Sequence, residues 1–359
     1  MNKEEQIRLL DAKKFAAKLD GKEISLYTLT SGDGITMQIT NFGGRVISLW
    51  APDKNGDYQD IVVGYENIDR YLNNTGERFL GTVVGRYANR IANGKFSLDG
   101  IEYTLPQNNA TNCLHGGLKG LDTQAWNVDK VTDNEIHFSF TSPDGAEGFP
   151  GTVKFKMAYT LTPDNEFKIT YEAETDNPTV VNLSHHSYFN LKGEGNGTIE
   201  DNIMTINASN ITPMDEVSVP YGTLMPVDGT PFDFRTPHII GDRINADDEQ
   251  IRNGAGYDHN FVIDKKIKNE VELAATVYEP NSGRILEVYT DQPGVQFYSS
   301  NWFDGSFNGK CGKAIKRREA FALETQKFPD SPNKPDFPTT RLNPGEVYKQ
   351  TCIYKFLTK

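Results

Sequence analysis

The chain has 359 residues, 37% hydrophobic and 11% aromatic, a balance that belongs to a folded globular protein and excludes a disordered one. Its 49 acidic against 37 basic residues leave a net charge of −12, which argues against nucleic acid as a partner because phosphates are gripped by basic stripes. Three widely spaced cysteines, Cys113, Cys311 and Cys352, form no CxxC pair, so neither a disulfide scaffold nor a zinc knuckle is indicated.

Taken from the N-terminus, residues 3–19 set Ile7, Leu10, Phe15 and Leu19 among charges, which predicts one short amphipathic helix and makes 1–21 a helical extension. The segment lacks the apolar stretch of a signal peptide, and no run of about 18 apolar residues follows, so no membrane span is expected and a reducing cytoplasm is the expected compartment. After residue 22 the period changes. Short alternating segments are punctuated by "SGDG", "NFGG" and "DKNG", turn signals at the spacing of all-β sandwiches and barrels. The pattern continues through "GKFSLDGIEYTL", "TVKFKMAYTLTPDNEFKITYEAET" and "ILEVYTDQPGVQFYSS". Only "NIDRYLNN", residues 67–74, reads as helix again. The proline-rich run at 328–345 lies between strand-like segments and predicts a long ordered loop. With no repeat and no linker, the expectation is one all-β domain over residues 1–359.

Strand parity nominates the chemistry, because successive side chains on a strand point to opposite faces. In "NLSHHSYFNL", residues 182–191, one face carries Leu183, His185, Ser187, Phe189 and Leu191 and belongs against a core. The other carries Asn182, Ser184, His186, Tyr188 and Asn190 and belongs in a polar cleft, so His186 is the functional member of the doublet. In "EAFALETQKF" the same test sets Glu324 beside Ala320 and Ala322, with room for a ligand, and opposite Phe321 and Leu323. "PGVQFYSSNW" sets Gln296, Tyr298 and Ser300 opposite Val295 and Phe297. "CLHGG" places His115 before two glycines that permit a close backbone approach. "GRYANRIANG" supplies Arg86, Asn89 and Arg90, and "GYDHNFVI" supplies Asp258 and His259.

Other chemistries are tested by spacing. No GxSxG elbow, GxxxxGK[ST] loop or HExxH pair is present, and His185 and His186, facing opposite ways, could not ligate one metal. No metal and no cofactor are expected. What remains is a pocket of Glu, His, Asp, Arg, Gln and Asn with Trp and Tyr for stacking, suited to acid–base work on a polyhydroxylated ligand.

"NFGGRVISLWAPDKNG", "VVGRYANRIANGKFSLDGIEYTL", "NCLHGG", "NLSHHSYFNL", "DHNF", "GVQFYSSNW" and "LETQKFPDSPNKPDFPTTRLNPGE", in this order, resemble the aldose 1-epimerases, the galactose mutarotases, over roughly residues 22–357. The resemblance implies a large antiparallel β-sandwich that interconverts α and β anomers of free hexoses without a cofactor; either a monomer or a homodimer is expected. It implies Glu324 as general base, His186 as general acid and His115 as a supporting histidine. It further implies Asn89, Arg90, Asp258 and Gln296 as binders of sugar hydroxyls. Many members carry Asn where this chain has His185, and the 304–320 segment is a variable loop in the family. A carboxylate at Glu324 is expected to favour the charged imidazolium of His186. The alternatives are a glycoside hydrolase using Glu324 and Asp258, a non-catalytic carbohydrate-binding sandwich, and an epimerase of hexose 6-phosphates.

Overall fold

The computed structural model describes residues 3–359. The alternating segments form antiparallel sheets, of which three dominate. A nine-stranded sheet runs in the spatial order Asn127–Val131, Glu135–Ser142, Val153–Leu161, Glu166–Thr175, Tyr348–Thr358, Arg284–Thr290, Glu272–Tyr278, Ile203–Ile206, His238–Ile239. Its Val153–Leu161 strand turns Val153, Phe155, Met157, Tyr159 and Leu161 inward, while Lys154 and Lys156 face water opposite Glu174 and Glu172. That is a half-buried strand with opposite charges paired on its wet face. A four-stranded sheet (Leu26–Thr30, Thr36–Thr40, Arg45–Pro52, Tyr58–Asp60) and a five-stranded one (Met225–Pro226, Ala208–Ile211, Asp258–Ile263, Gly294–Tyr298, Ala322–Gln326) share one continuous hydrophobic cluster with it. Sheet-on-sheet packing of this kind is the predicted sandwich, and each fully buried Phe, Leu or Val in it contributes about 1.5–3 kcal/mol.

Residues 3–19 depart from the predicted helix. The chain makes one helical turn at Lys3–Gln6, a 3-10 turn at Ala12–Phe15, and a strand at Ala17–Leu19 that pairs with Lys22–Ile24. The helix breaks because the backbone of Leu10 bonds to the buried Gln38 amide in both directions, at 2.9 and 3.1 Å, and Asp11 then caps the next turn. Phe15 alone of this segment is fully buried. The helix at Ile68–Leu72 forms as predicted, its Asn67 accepting the Arg70 N–H. The proline-rich run is an ordered loop with a 3-10 turn at Ser331–Asn333 and a short strand, Arg341–Leu342, paired with Thr179–Val180. Within 304–320 the chain forms a hairpin, Asp304–Asn308 with Ala314–Lys316, whose Lys310 is buried between Glu194 (3.1 Å) and Asp60 (3.4 Å). Among the described residues no helix is long and apolar enough to cross a membrane.

Candidate active site

Three adjacent strands of the five-stranded sheet set the floor. Register places Asp258 opposite Tyr298 and Gln296 opposite Glu324. Alternation sends Phe297 and Leu323 into the core and leaves Glu324 facing a cleft beside the small Ala322. The short strand Ser184–His186 pairs with Thr82–Val84 and is tied to the floor by the Ser184 hydroxyl, which donates to the Thr325 carbonyl at 3.0 Å. His186 therefore stands with Nε2 3.4 Å from Glu324 Oε1. Its neighbour His185 points the other way, packed edge-on to Tyr159 and Phe167 at 5.6 and 5.5 Å. The two side chains thus face the opposite ways that parity predicts.

The remaining wall is a two-stranded ladder, Arg90–Ile91 with Cys113–Leu114. Asn89 and His115 flank it, both in the left-handed region with φ of 65° and 51°. They lock to each other: the Asn89 N–H donates to His115 Nδ1 at 3.0 Å, and the His115 N–H donates to the Asn89 carbonyl at 3.1 Å. The turn after His115 needs glycine, since Gly116 has φ +87° and a Cβ there would lie 2.0 Å from the Gly85 carbonyl oxygen. Arg90 is oriented by Nε donating to Asn109 Oδ1 at 2.9 Å.

These walls enclose a cavity of about 640 Å³ lined by Asn89, Arg90, His115, His186, Asp258 and Glu324 together with Tyr188 and Tyr298. Of the site residues that the resemblance implies, Gln296 alone does not line it. Its amide donates to Asp258 Oδ1 at 2.8 Å and accepts from Gln326 at 3.4 Å, so it reaches the cleft through Asp258. Asn182, Ser184 and Asn190, which parity sets on the cleft face, instead donate to backbone carbonyls of neighbouring segments. Arg86 is structural, its guanidinium spent on Ser142, Pro143 and Pro150. His259 is buried edge-on to Phe232 at 4.5 Å.

Loop residues complete the lining: Asn74, Gly76, Glu77, Arg78, Phe79, Asn108, Asn109, Leu118 and Trp302. Pattern reasoning missed Glu77, Arg78 and Phe79, because no strand or helix period governs the turn that carries them. That turn is pinned from below by the buried Arg45, which donates to the carbonyls of Arg78 and Leu80 at 2.8 and 2.9 Å. Arg78 in turn holds the loop after His115 through Asp122 (2.8 Å) and the Leu118 carbonyl (3.0 Å).

Burial dominates the electrostatics. It pushes the Glu324 carboxyl well above the ordinary range, reinforced by the charge of Asp258 and opposed by Arg90. Burial also lowers His186 to about 3 and His115 well below its usual value, the latter with help from His186 and Arg90. The expectation that Glu324 holds His186 as imidazolium is thus corrected. Both partners are desolvated, so each favours its neutral form. Glu324 Oε2 and His186 Nδ1 have no hydrogen-bond partner within the protein. Donor atoms of His115, His186 and Glu324 lie within 4.8 Å of one another, a grouping that could hold a cation. However, His115 Nδ1 accepts the Asn89 N–H, which leaves its proton on Nε2, and a metal ligand needs a bare nitrogen. The trio as folded is set for proton transfer and hydroxyl binding.

Residues 25–355 match the aldose 1-epimerase family. The chain is 43% identical over 324 residues to a galactose mutarotase of Bos taurus, covering 90% of this chain and 92% of that one. It is 36% identical to an aldose 1-epimerase of Escherichia coli, covering 95% and 97%. Among solved structures, an aldose epimerase homologue from C. elegans superposes with a TM-score of 0.86 at 30% identity, covering 93% of this chain and 99% of that one. A galactose 1-epimerase from Lactobacillus acidophilus does so at 0.81 and 28%, covering 95% and 97%.

Proposed function

The chain belongs to the aldose 1-epimerase family, and on that premise we propose that its cleft interconverts the α and β anomers of free aldohexoses such as glucose and galactose, with Glu324 as general base and His186 as general acid. The observation that carries this reading is the pair itself: a carboxylate and an imidazole 3.4 Å apart on a buried floor, each with an atom unspent on the protein.

Anomerisation needs a proton taken from the C1 hydroxyl and a proton delivered to the ring oxygen. The C1–O5 bond then breaks, the aldehyde turns about C1–C2, and the ring closes with the two roles reversed. With a closed ring, the working pair is carboxylate and imidazolium. Once the ring opens, Glu324 has gained a proton and His186 has lost one, so both are neutral. Burial favours that neutral pair. The electrostatics that make the ion pair costly therefore stabilise the state that accompanies the open-chain aldehyde. The total proton count is the same in both states, and no exchange with bulk water is needed between them.

Asp258, raised by burial and countered by Arg90 and the Gln296 amide, accepts from sugar hydroxyls. Arg90 and Asn89 offer donors, and His115 offers the Nε2–H that its tautomer leaves free. Gln296 acts by holding Asp258. In polarimetry with fresh α-glucose or α-galactose, the enzyme is expected to accelerate the decay of optical rotation. Glu324→Gln and His186→Asn should each cut kcat by about 10²–10⁴-fold with a smaller change in KM. A full-rate Glu324→Gln variant, or release of nitrophenol from aryl glycosides in place of anomerisation, would sink the reading.

A further inference from the structure

Arg78 lines the cleft, yet its guanidinium is turned back into the protein. Nε and one terminal nitrogen donate to the two carboxylate oxygens of Asp122 at 2.8 and 3.0 Å. The same terminal nitrogen reaches the carbonyls of Gly117 and Leu118 at 3.1 and 3.0 Å. All of these acceptors lie on one stretch, which leaves the cleft wall at His115 and ends in the 3-10 turn Leu121–Thr123. Asp122 is fully buried and has Arg45 as a second cation at 3.7 Å, so it keeps a cation without Arg78. What Arg78 adds is a planar fork that grips the loop by side chain and backbone at once, which a point charge cannot do.

The loop needs such a grip. His115, Gly116 and Gly117 run through positive φ in succession, at 51°, 87° and 99°, and glycine leaves its backbone free to take other conformations. A histidine at positive φ persists only where its surroundings over-determine it. The reciprocal pair with Asn89 holds His115 from one side, and Arg78 holds the carbonyls two and three residues further on. Phe79, next in the chain, packs edge-on to the His115 ring at 4.7 Å, with the Arg78 guanidinium 4.9 Å from its own ring. The 77–79 turn therefore fixes His115 twice, by its loop and by its imidazole. That imidazole stands 5.3 Å from the ring of His186. We infer that Arg78 is a positioning residue for the anomerisation, holding the His115 Nε2–H where it meets the sugar beside the general acid. This rests on the reading that the cleft anomerises free hexoses. Arg78 gives and takes no proton, and its effect runs through His115.

The test is a double-mutant cycle on the full chain, read as polarimetric kcat/KM for glucose. His115→Asn removes the ring while keeping a residue that tolerates positive φ. Arg78→Ala should lower kcat/KM about 10- to 100-fold in the wild-type background, but no more than about twofold when His115→Asn is already in place. Arg78→Lys keeps a charge towards Asp122 without the fork; it should show the same dependence on His115, and it carries the cycle if Arg78→Ala does not fold. Nitrogen NMR of labelled histidine gives a second readout. The His115 signals, assigned by their loss in His115→Asn, should report a single tautomer with the proton on Nε2 in wild type and an averaged one in the Arg78 variant. Losses of equal size in both backgrounds, or a His115 tautomer that the Arg78 variant leaves unchanged, overturn the inference. A wild type that does not accelerate the anomerisation of glucose overturns the parent reading instead.

Discussion

Glu324 and His186 are 2% and 4% exposed, and the face that each presents follows from period-two alternation along its own strand. Alternation separates Glu324 from Leu323 and His186 from His185 without any knowledge of the third dimension. It cannot report protonation, which depends on how deeply the finished cleft buries each group. Here the raised carboxyl of Glu324 has a kinetic consequence. The working ion pair holds the same single proton as the neutral pair, so kcat/KM should fall with pH through a limb lying above the ordinary glutamate value of about 4.3, where Glu324 ionises and His186 is left without a proton to give. Asp258 is the largest charge raising it. Asp258→Asn should therefore move that limb to lower pH while lowering the plateau. A pH–rate profile of kcat/KM measures both, and a limb that stays put in the variant would show that Asp258 does not tune the base.

At the scale of elements, strands were legible and the segments between them were not. The apolar spacing of residues 3–19 fits a helix, yet the side-chain amide of Gln38 in the four-stranded sheet captures its backbone at Leu10 and divides it. The proline-rich loop was readable as ordered, but its task appears only in the fold. Asp330, fully buried with φ 56°, donates its N–H to the Arg90 carbonyl at 2.8 Å and accepts the Ala92 N–H at 2.9 Å. Tyr87 ties the same loop down, its hydroxyl donating to the Phe328 carbonyl and accepting the Ser331 N–H, both at 2.9 Å. The loop thus clamps the strand that aims Arg90 into the cleft. Asp330→Ala leaves the half-buried Ala92 N–H without its side-chain acceptor, at a cost of about 1 kcal/mol. It should raise KM for glucose several-fold with a smaller effect on kcat. Asp330→Asn keeps an acceptor and should restore most of the KM; equal kcat losses in both variants would argue for a catalytic role instead of a positioning one.

For the whole molecule, three histidines, His185, His186 and His259, are buried neutral, each lowered to about 3 chiefly by desolvation. A histidine lowered in the folded state takes up its proton first in the unfolded chain. Its contribution to stability is therefore whole above about 6.5 and drains away as pH falls towards 3. Buried carboxyls such as Glu324 act with the opposite sign, so the histidine share shows best as a difference. Between pH 7 and 5, urea unfolding should lose about 2 kcal/mol more in wild type than in a His185→Asn variant; parallel losses would mean that His185 is not held neutral. The same residue shows how the molecule is coupled. The Ser184–His186 strand is a partition one residue thick, with the nine-stranded sheet's Tyr159 and Phe167 pressing His185 on one side and the cleft opening beside His186 on the other. Repacking the distant sheet beneath His185 shifts the proton donor above it, so at this wall thermal robustness and turnover are one adjustable quantity, and substitutions selected for either will register in both.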